Sequence, residues 1–322
     1  MPSTGVVVAQ LGGPESLADV EPFIRSIFND PRLVPLPGGP RTRSVVSALV
    51  ARARAPRVRS HYEAIGGGSP IVKTTQHQAA ALEEELLARG HDVVVVVAHS
   101  HADPDTEAAV DAMLAAGVDR VVLFPLFPQY SGTTTGSSEA ELRRVLSDRG
   151  ADLPVRVIRS WCEHPSYLDA QVKLIDEMLA ELPDHEVGQA LVVFSAHGLP
   201  QRIIDRGDPY LEEIEATVAE VMDRVERPVE HVLAFQSKAG PIRWIGPDVR
   251  DVVAEEGEGG RAWIGVVPIS FVSDHVETSH ELDIQLREHA EGAGIRDFHR
   301  SRCFDSDPIV GPMFADIVEE YL

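Results

Sequence analysis

The chain has 322 residues, 43% of them hydrophobic, which is enough for one large or two medium α/β domains with cores of their own. Acidic residues outnumber Lys and Arg by 51 to 29, and the resulting acidic surface argues against a nucleic-acid partner. The chain has no apolar run of about 18 residues and no signal-peptide pattern, so we expect a cytoplasmic protein. Its two cysteines, Cys162 and Cys303, lack the CxxC spacing of zinc and iron–sulfur sites.

Short apolar runs alternate with amphipathic stretches along the whole chain. The runs predict seven buried strands, at residues 6–9, 93–98, 121–124, 155–159, 190–194, 231–235 and 263–267. The amphipathic stretches predict helices over 76–89, 106–116, 138–148, 166–182, 210–225 and 277–290. This alternation is typical of parallel sheets flanked by helices in a doubly wound α/β fold.

A weak internal repeat divides the chain into two lobes. Residues 6–14 resemble 191–200, and a later strand that ends in proline and aromatic residues occurs at both 122–128 and 266–271. The paired segments begin 116 residues apart in the first half and 75 in the second. We therefore predict lobes at 1–150 and 151–322, with a lip inserted into the first at about 31–70.

The predicted lip carries an unusual charge pattern. It includes an acid-free stretch between Asp30 and Glu63 that contains seven arginines. One interpretation is a basic amphipathic helix that touches an anionic membrane, with Val46, Leu49 and Val50 on its apolar face. The other is a helix that packs on its own lobe and leaves its arginines in water.

The carboxyl ends of the predicted strands indicate where a site should lie, because ligands bind there in doubly wound sheets. His197 directly follows an apolar strand, and a neutral imidazole can accept a proton or bind a metal. The segment 271–285 supplies Glu277 and Glu281, four residues apart on one face of a predicted helix, with Gln285 one turn further. The alternative interpretation of this segment is an acidic helix face that is exposed to solvent and has no role in a site. The segments 124–138 and 66–70 lack nucleotide-binding signatures.

The chain resembles the ferrochelatases over nearly its whole length. The resemblance rests on nine short segments that occur in the same order: QLGGPE (10–15), YEAIGGGSP (62–70), FPQYS (127–131), TGSS (135–138), SAHGLP (195–200), RGDPY (206–210), QSKAGP (236–241), WIGP (244–247) and SDHVET (273–278). It implies an α/β fold of two Rossmann-like lobes with the active-site cleft between them.

The resemblance also implies an activity, the insertion of Fe²⁺ into a porphyrin with release of two protons to form haem. It implies that His197 and Glu277 are the catalytic residues and that His197, Glu277 and Glu281 contact the metal. Glu281 and Gln285 would form the proton or metal path. The residues expected to contact the porphyrin are Leu11, Tyr62, Tyr130, Ser131, Trp244, Phe271 and His275.

The expected substrates are porphyrin and ferrous iron, and no cofactor is expected. The extension that holds an iron–sulfur cluster in some members is missing, and the chain departs from the family at Gln285, usually an acid, and at Ser100-His101, usually Arg-Tyr. Leu11 and the IGGGSP segment favour protoporphyrin over coproporphyrin. A cobalt or nickel chelatase and a non-catalytic porphyrin-binding protein are the alternatives. Porphyrin is expected to arrive from a membrane surface or from a porphyrin-delivering enzyme.

Overall fold

The computed structural model describes residues 3–34, 39–238 and 240–322, which form two compact α/β units. The first comprises the chain up to Leu126, Gly132–Arg159 and Asp305–Leu322, and the second comprises Phe127–Ser131 and Ser160–Phe304. Each unit contains one four-stranded parallel sheet flanked by helices, which confirms the predicted fold class.

The sheet of the first unit has the strand order β2-β1-β3-β4. Its strands are β1 (Thr4–Gln10), β2 (Val93–His99), β3 (Arg120–Pro125) and β4 (Val155–Val157). Its first five helices are α1 (Val20–Asn29), α2 (Pro40–Ala64), α3 (Ile71–Ala88), α4 (Thr106–Ala116) and α5 (Thr135–Asp148). Strand β1 is buried along its whole length, as expected of a central strand covered on both faces.

The sheet of the second unit repeats this order as β6-β5-β7-β8. Its strands are β5 (Ala190–His197), β6 (Glu230–Gln236), β7 (Trp263–Val267) and β8 (Asp297–Arg300). Its helices are α6 (Pro165–Leu179), a 3-10 helix (Asp184–Gln189), α7 (Gln201–Ile204), α8 (Tyr210–Met222), α9 (Val249–Glu258), a π-helix (Val276–Leu286) and α10 (Arg287–Gly292). In each sheet the second strand along the chain lies on one side of the first strand and the third strand lies on the other side. The strand order therefore reverses between β1 and β3 and between β5 and β7, and each of these places is a switch point.

The helix after β7 differs from its prediction. The sequence predicts a single α-helix over 277–290, whereas the chain forms a π-helix up to Leu286 and only then an α-helix. The helix begins after His275, whose N–H donates a hydrogen bond to the Thr278 hydroxyl at 2.9 Å. In a π-helix the hydrogen bonds run from i to i+5, so the α-helical spacing used in the prediction does not apply.

The division between the units also differs from the predicted boundary at residue 150. Strand β4 follows that residue, yet it pairs with β3 in the first sheet. The last helix, α11 (Val310–Glu319), returns to the first unit, where Phe314 meets Phe124 edge to face at a centroid distance of 5.0 Å. A boundary drawn from the repeat misses this return because the repeat ends before α11 begins.

Helix α2 occupies most of the predicted lip, of which residues 35–38 lie outside the described residues. Within the described parts of the chain, no helix is long and apolar enough to cross a bilayer.

Candidate active site

His197 lies at the carboxyl end of β5, at the switch point of the second sheet. Its backbone is held on both sides, because its N–H donates to Ser270 Oγ at 3.1 Å and its carbonyl accepts from the Tyr210 hydroxyl at 2.9 Å. The side chain remains 37% exposed. The imidazole is therefore fixed at its base and open to a ligand at its edge.

Glu277 lies in the first turn of the π-helix and pairs with His197. Its Oε2 is 2.8 Å from His197 Nδ1. Burial alone would lower the pKa of His197 and raise that of Glu277, but the charge and hydrogen bond of the partner outweigh burial in both cases. The pKa of His197 is therefore raised and that of Glu277 lowered, which favours an ion pair of imidazolium and carboxylate.

Glu281 is held beside this pair by strand β6. Gln236 Nε2 donates to the Glu277 carbonyl at 2.7 Å and to Glu281 Oε2 at 3.1 Å, and Ser237 Oγ donates to the same carboxylate oxygen at 2.6 Å. Burial and the charge of Glu277 raise the pKa of Glu281. The site thus contains one ion pair and one adjacent carboxyl group that resists ionisation.

Two predicted porphyrin contacts lie against the ion pair. The ring of Phe271 is 6.5 Å from that of His197 and 4.6 Å from that of His275. His275 Nε2 is 3.8 Å from Glu277 Oε2, and burial lowers the pKa of this histidine. Its Nδ1 is buried and has no hydrogen-bond partner among the described residues. These side chains give the site an aromatic side next to its charged groups.

Trp244 is half-buried beside the turn that follows His197. It pairs with Pro200 through an isolated β-bridge, and a Cβ atom placed on Gly198 would be 3.7 Å from its ring. This places the indole near His197; its contact with porphyrin stays a prediction.

Two further predicted contacts, Tyr130 and Ser131, are tied to other residues of the second unit. The Tyr130 N–H donates to Glu213 Oε2 at 2.6 Å, and the buried Ser131 hydroxyl donates to Asp208 Oδ2 at 3.1 Å. Asp208 also caps Tyr210, the residue that holds the His197 carbonyl. Their contact with porphyrin stays a prediction.

The remaining predicted residues do not join the ion pair. Gln285 accepts a hydrogen bond from Arg250 at 2.9 Å, at the start of α9. Leu11 and Tyr62 belong to the first unit, and their role in binding porphyrin stays a prediction.

In the first unit, two of the motifs are packed together. The Ser69 N–H donates to the Pro14 carbonyl at 2.7 Å, and a Cβ atom on Gly68 would be only 2.2 Å from the Glu15 carbonyl oxygen. Only glycine fits this close approach of two backbones. The glycine run of IGGGSP therefore has a packing role.

Over residues 3–34, 39–238 and 240–322, no group of three or more His, Cys, Asp or Glu side chains is arranged to hold a metal ion. The predicted contacts of His197, Glu277 and Glu281 with iron stay predictions.

Sequence reasoning assigned no role to several residues that shape the site. Gln236 and Ser237 are part of the QSKAGP segment, yet only the structure shows that they hold Glu277 and Glu281. Ser237 has a φ of 63°, a left-handed conformation that is rare for residues other than glycine and clusters at functional sites. In the sequence, the available indication of a site role was that the polar residues Gln236 and Ser237 directly follow a predicted apolar strand.

The sequence model of the ferrochelatase family matches residues 3–322. A ferrochelatase from Geotalea daltonii is 41% identical over 316 residues, covering 98% of this chain and 97% of the relative. A ferrochelatase from Synechococcus sp. strain JA-3-3Ab is 42% identical over 325 residues, covering 100% and 94%.

Solved structures share the fold at low sequence identity. SirB from Bacillus subtilis with Fe³⁺ aligns with a TM-score of 0.60 at 15% identity, over 99% of this chain and 95% of SirB. The sirohydrochlorin chelatase SirB from Bacillus subtilis subspecies spizizenii in complex with cobalt aligns with a TM-score of 0.54 at 13% identity, over 99% and 95% of the two chains.

Proposed function

Because the chain belongs to the ferrochelatase family, lyases that insert metal into porphyrin for haem synthesis, we propose that it inserts Fe²⁺ into protoporphyrin with His197 as the proton acceptor. Two pyrrole N–H protons must leave the ring as the metal enters. The observation that carries the proposal is the 2.8 Å contact between His197 and Glu277 at the switch point of the second sheet.

The contact explains how one imidazole can serve as the base. With Nδ1 directed at Glu277, Nε2 is the nitrogen that faces a substrate, and the carboxylate stabilises the imidazolium that forms when Nε2 takes a pyrrole proton. The backbone bonds from Ser270 and Tyr210 fix the main chain at His197, and the contact with Glu277 sets the direction of the ring. Proton transfer then needs no reorientation of the histidine.

Glu281 is placed to continue the path away from His197. Burial and the charge of Glu277 raise the pKa of Glu281 and so favour its protonated form, whereas the charge of His197 lowers the pKa of Glu277 and favours its carboxylate. We assign to Glu281 the removal of protons or the delivery of partly dehydrated iron. Phe271 and Trp244 supply apolar surface against which the macrocycle can be held distorted, which exposes its nitrogen lone pairs.

The His197→Ala variant tests this function. It should lose iron insertion almost completely while retaining its fold and its porphyrin affinity, because the loss of the proton acceptor affects the chemical step. Insertion is followed by haem absorbance and binding by quenching of porphyrin fluorescence. His185→Ala, at an exposed histidine of the 3-10 helix, is the control and should behave as wild type. Near-normal turnover by His197→Ala would remove His197 from the mechanism.

The choice of porphyrin and metal is proposed from sequence features in the first unit. Leu11, in a slot where some relatives have Tyr, and the IGGGSP segment favour protoporphyrin over coproporphyrin. We expect kcat/KM for Fe²⁺ insertion to be higher with protoporphyrin when both porphyrins are assayed side by side. A preference for coproporphyrin would reverse the assignment, and a preference for Co²⁺ or Ni²⁺ over Fe²⁺ would point to another chelatase reaction.

We also propose that α2 contacts an anionic membrane surface, from which a poorly soluble porphyrin can be delivered. The large apolar side chains exposed on this helix are Val45 and Leu49, at 61% and 65%, whereas the predicted Val46 and Val50 are half-buried. Arg52 and Arg57 are exposed nearby. Together these arginines and apolar side chains form a patch suited to an anionic lipid surface. The chain as a whole has a net charge of −22, so the same surface would repel the acidic remainder of the molecule.

A further inference from the structure

A buried arginine outside the ion pair is bonded to both ends of the segment that carries the site. Arg300, the last residue of β8, has a side chain only 10% exposed. Its Nε and Nη2 donate to the two carboxylate oxygens of Asp283 at 2.6 and 2.8 Å. The same guanidinium lies 3.1 Å from Asp274 Oδ1 and donates to Asp274 Oδ2 at 3.3 Å.

The two carboxylates bracket the functional residues along the chain. Asp274 directly precedes His275, which caps the π-helix, and Asp283 lies within that helix. Glu277 and Glu281 fall between them. One planar guanidinium therefore ties the entry of the helix to its later part, and β8 anchors the guanidinium because Arg300 is paired with Val266 of β7.

The helix needs such an anchor because its geometry is not self-sustaining. A π-helix is rare and is usually limited to a single turn, whereas this one extends over 11 residues. Gln236 and Ser237 hold the side that faces His197, through the Glu277 carbonyl and the Glu281 carboxylate. Arg300 supplies the contacts at Asp274 and Asp283.

We propose that Arg300 is a positioning residue of the insertion reaction, which holds the π-helix in the register that places Glu277 on His197 and Glu281 on Ser237. Without the clamp the helix relaxes towards α-helical hydrogen bonding, and each later residue turns relative to the sheet. The inference rests on the proposed roles of Glu277 and Glu281. It adds a residue that touches neither substrate nor the ion pair.

The Arg300→Met variant is the first test. We expect kcat to fall by about tenfold to a hundredfold, the loss typical of a displaced catalytic group, while KM for porphyrin changes little. Arg300→Lys should recover only part of the loss, because an ammonium cannot bridge two carboxylates as a guanidinium does. Arg302→Met is the matched control, since Arg302 is two residues from Arg300 and forms a bidentate pair with Glu177 of α6 at 2.9 and 3.2 Å; it should keep wild-type kcat.

A second variant separates positioning from stability. Arg300→Met leaves two buried carboxylates without their cation and should lower Tm by roughly 5–10 °C. Replacing all three partners in Asp274→Asn/Arg300→Met/Asp283→Asn removes the buried charges, so most of the Tm should return. If Arg300 is a positioning residue, kcat stays low in this triple variant. Recovery of kcat together with Tm, or a kcat within twofold of wild type in Arg300→Met, would overturn the proposal.

Hydrogen exchange distinguishes this proposal from the proposed function itself. Amides of 276–286 should exchange faster in Arg300→Met and in the triple variant than in wild type or Arg302→Met. Glu277→Gln serves as the reference for the site. If Glu277→Gln abolishes insertion while Arg300→Met changes neither exchange nor kcat, the clamp is wrong and the site stands. If amide exchange rises in Arg300→Met, and Arg300→Met and Glu277→Gln both keep full activity, the site assignment is wrong, and with it the positioning role.

Discussion

At the scale of single residues, the contact between His197 and Glu277 controls the protonation of both side chains. Glu277 raises the pKa of His197 above 6.5, so near neutral pH the imidazole holds a proton that it must lose before it can accept one from a pyrrole. We expect insertion to increase with pH through an apparent pKa above 6.5. In Glu277→Gln the anionic partner is gone, so the residual activity should show this rise at lower pH.

The measurement for this prediction is log kcat/KM against pH for wild type and Glu277→Gln, with Glu163→Gln, an exposed glutamate, as control. An unchanged acid limb in Glu277→Gln would show that another group titrates.

Some residues of the candidate site can be predicted from the sequence and others cannot, because only some of them lie in a pattern that indicates their role. His197 and Glu277 are predicted from their motifs and from their positions at the carboxyl end of β5 and after β7, and the structure brings their side chains together. Gln236 and Ser237 carry ordinary hydrogen-bonding side chains, and their role depends on which oxygen they meet across the sheet. That partner is set by the π-helix, whose hydrogen-bond pattern leaves no recognisable spacing in the sequence.

At the scale of secondary-structure elements, α2 carries a prediction about lipid. Exposed Val45 and Leu49 are one helical turn apart, with Arg52 and Arg57 beyond them. We expect weak binding to vesicles that contain anionic lipid at low ionic strength and its loss at high salt, because the attraction weakens as the Debye length shortens. Co-sedimentation measures both.

The variants for this experiment are chosen from the partners of each arginine. Arg59 donates to the Leu17 carbonyl and Arg54 lies over the Phe28 ring, so replacing them would disturb the first unit. Arg52→Gln/Arg57→Gln should lose the binding. Arg143→Gln/Arg296→Gln changes the net charge equally outside α2 and should keep it. If wild type does not sediment at low salt, α2 is no membrane contact, and delivery by another protein becomes the working hypothesis.

Elements were predictable from sequence to the extent that burial imposed a periodic pattern. All seven predicted strands are present, and most of them are apolar runs in a buried sheet; β4 is the exception, with exposed Arg156 between half-buried Val155 and Val157. Strand β8 has one buried apolar residue, Phe298, and lies at the sheet edge, so it gives no run. Helix α11 was missed although its buried Val310, Met313, Phe314, Ile317 and Val318 follow helical spacing.

At the scale of the whole molecule, each unit has a hydrophobic cluster of its own that can be perturbed by itself. Leu142 is fully buried in the cluster of the first unit and Ile264 in that of the second. Replacing Leu142 with Ala should cost about 2–5 kcal/mol and speed amide exchange in β1 more than in β5. Ile264→Ala is the matched variant and should show the opposite preference. Equal acceleration in both strands by either variant would contradict independent clusters.

The return of α11 to the first unit has a consequence for synthesis on the ribosome. Arg89, after α3, donates to Asp316 at 2.8 Å and to Glu319 at 2.9 Å, so the first unit is closed by residues that follow the second unit in the chain. The nascent chain has already delivered every residue of the second unit before this helix emerges. Domains usually mature in the order in which they are translated. Here the unit that contains the first strand can complete its packing only after the second unit has been synthesised, because α3 and Phe124 of β3 meet α11 only then.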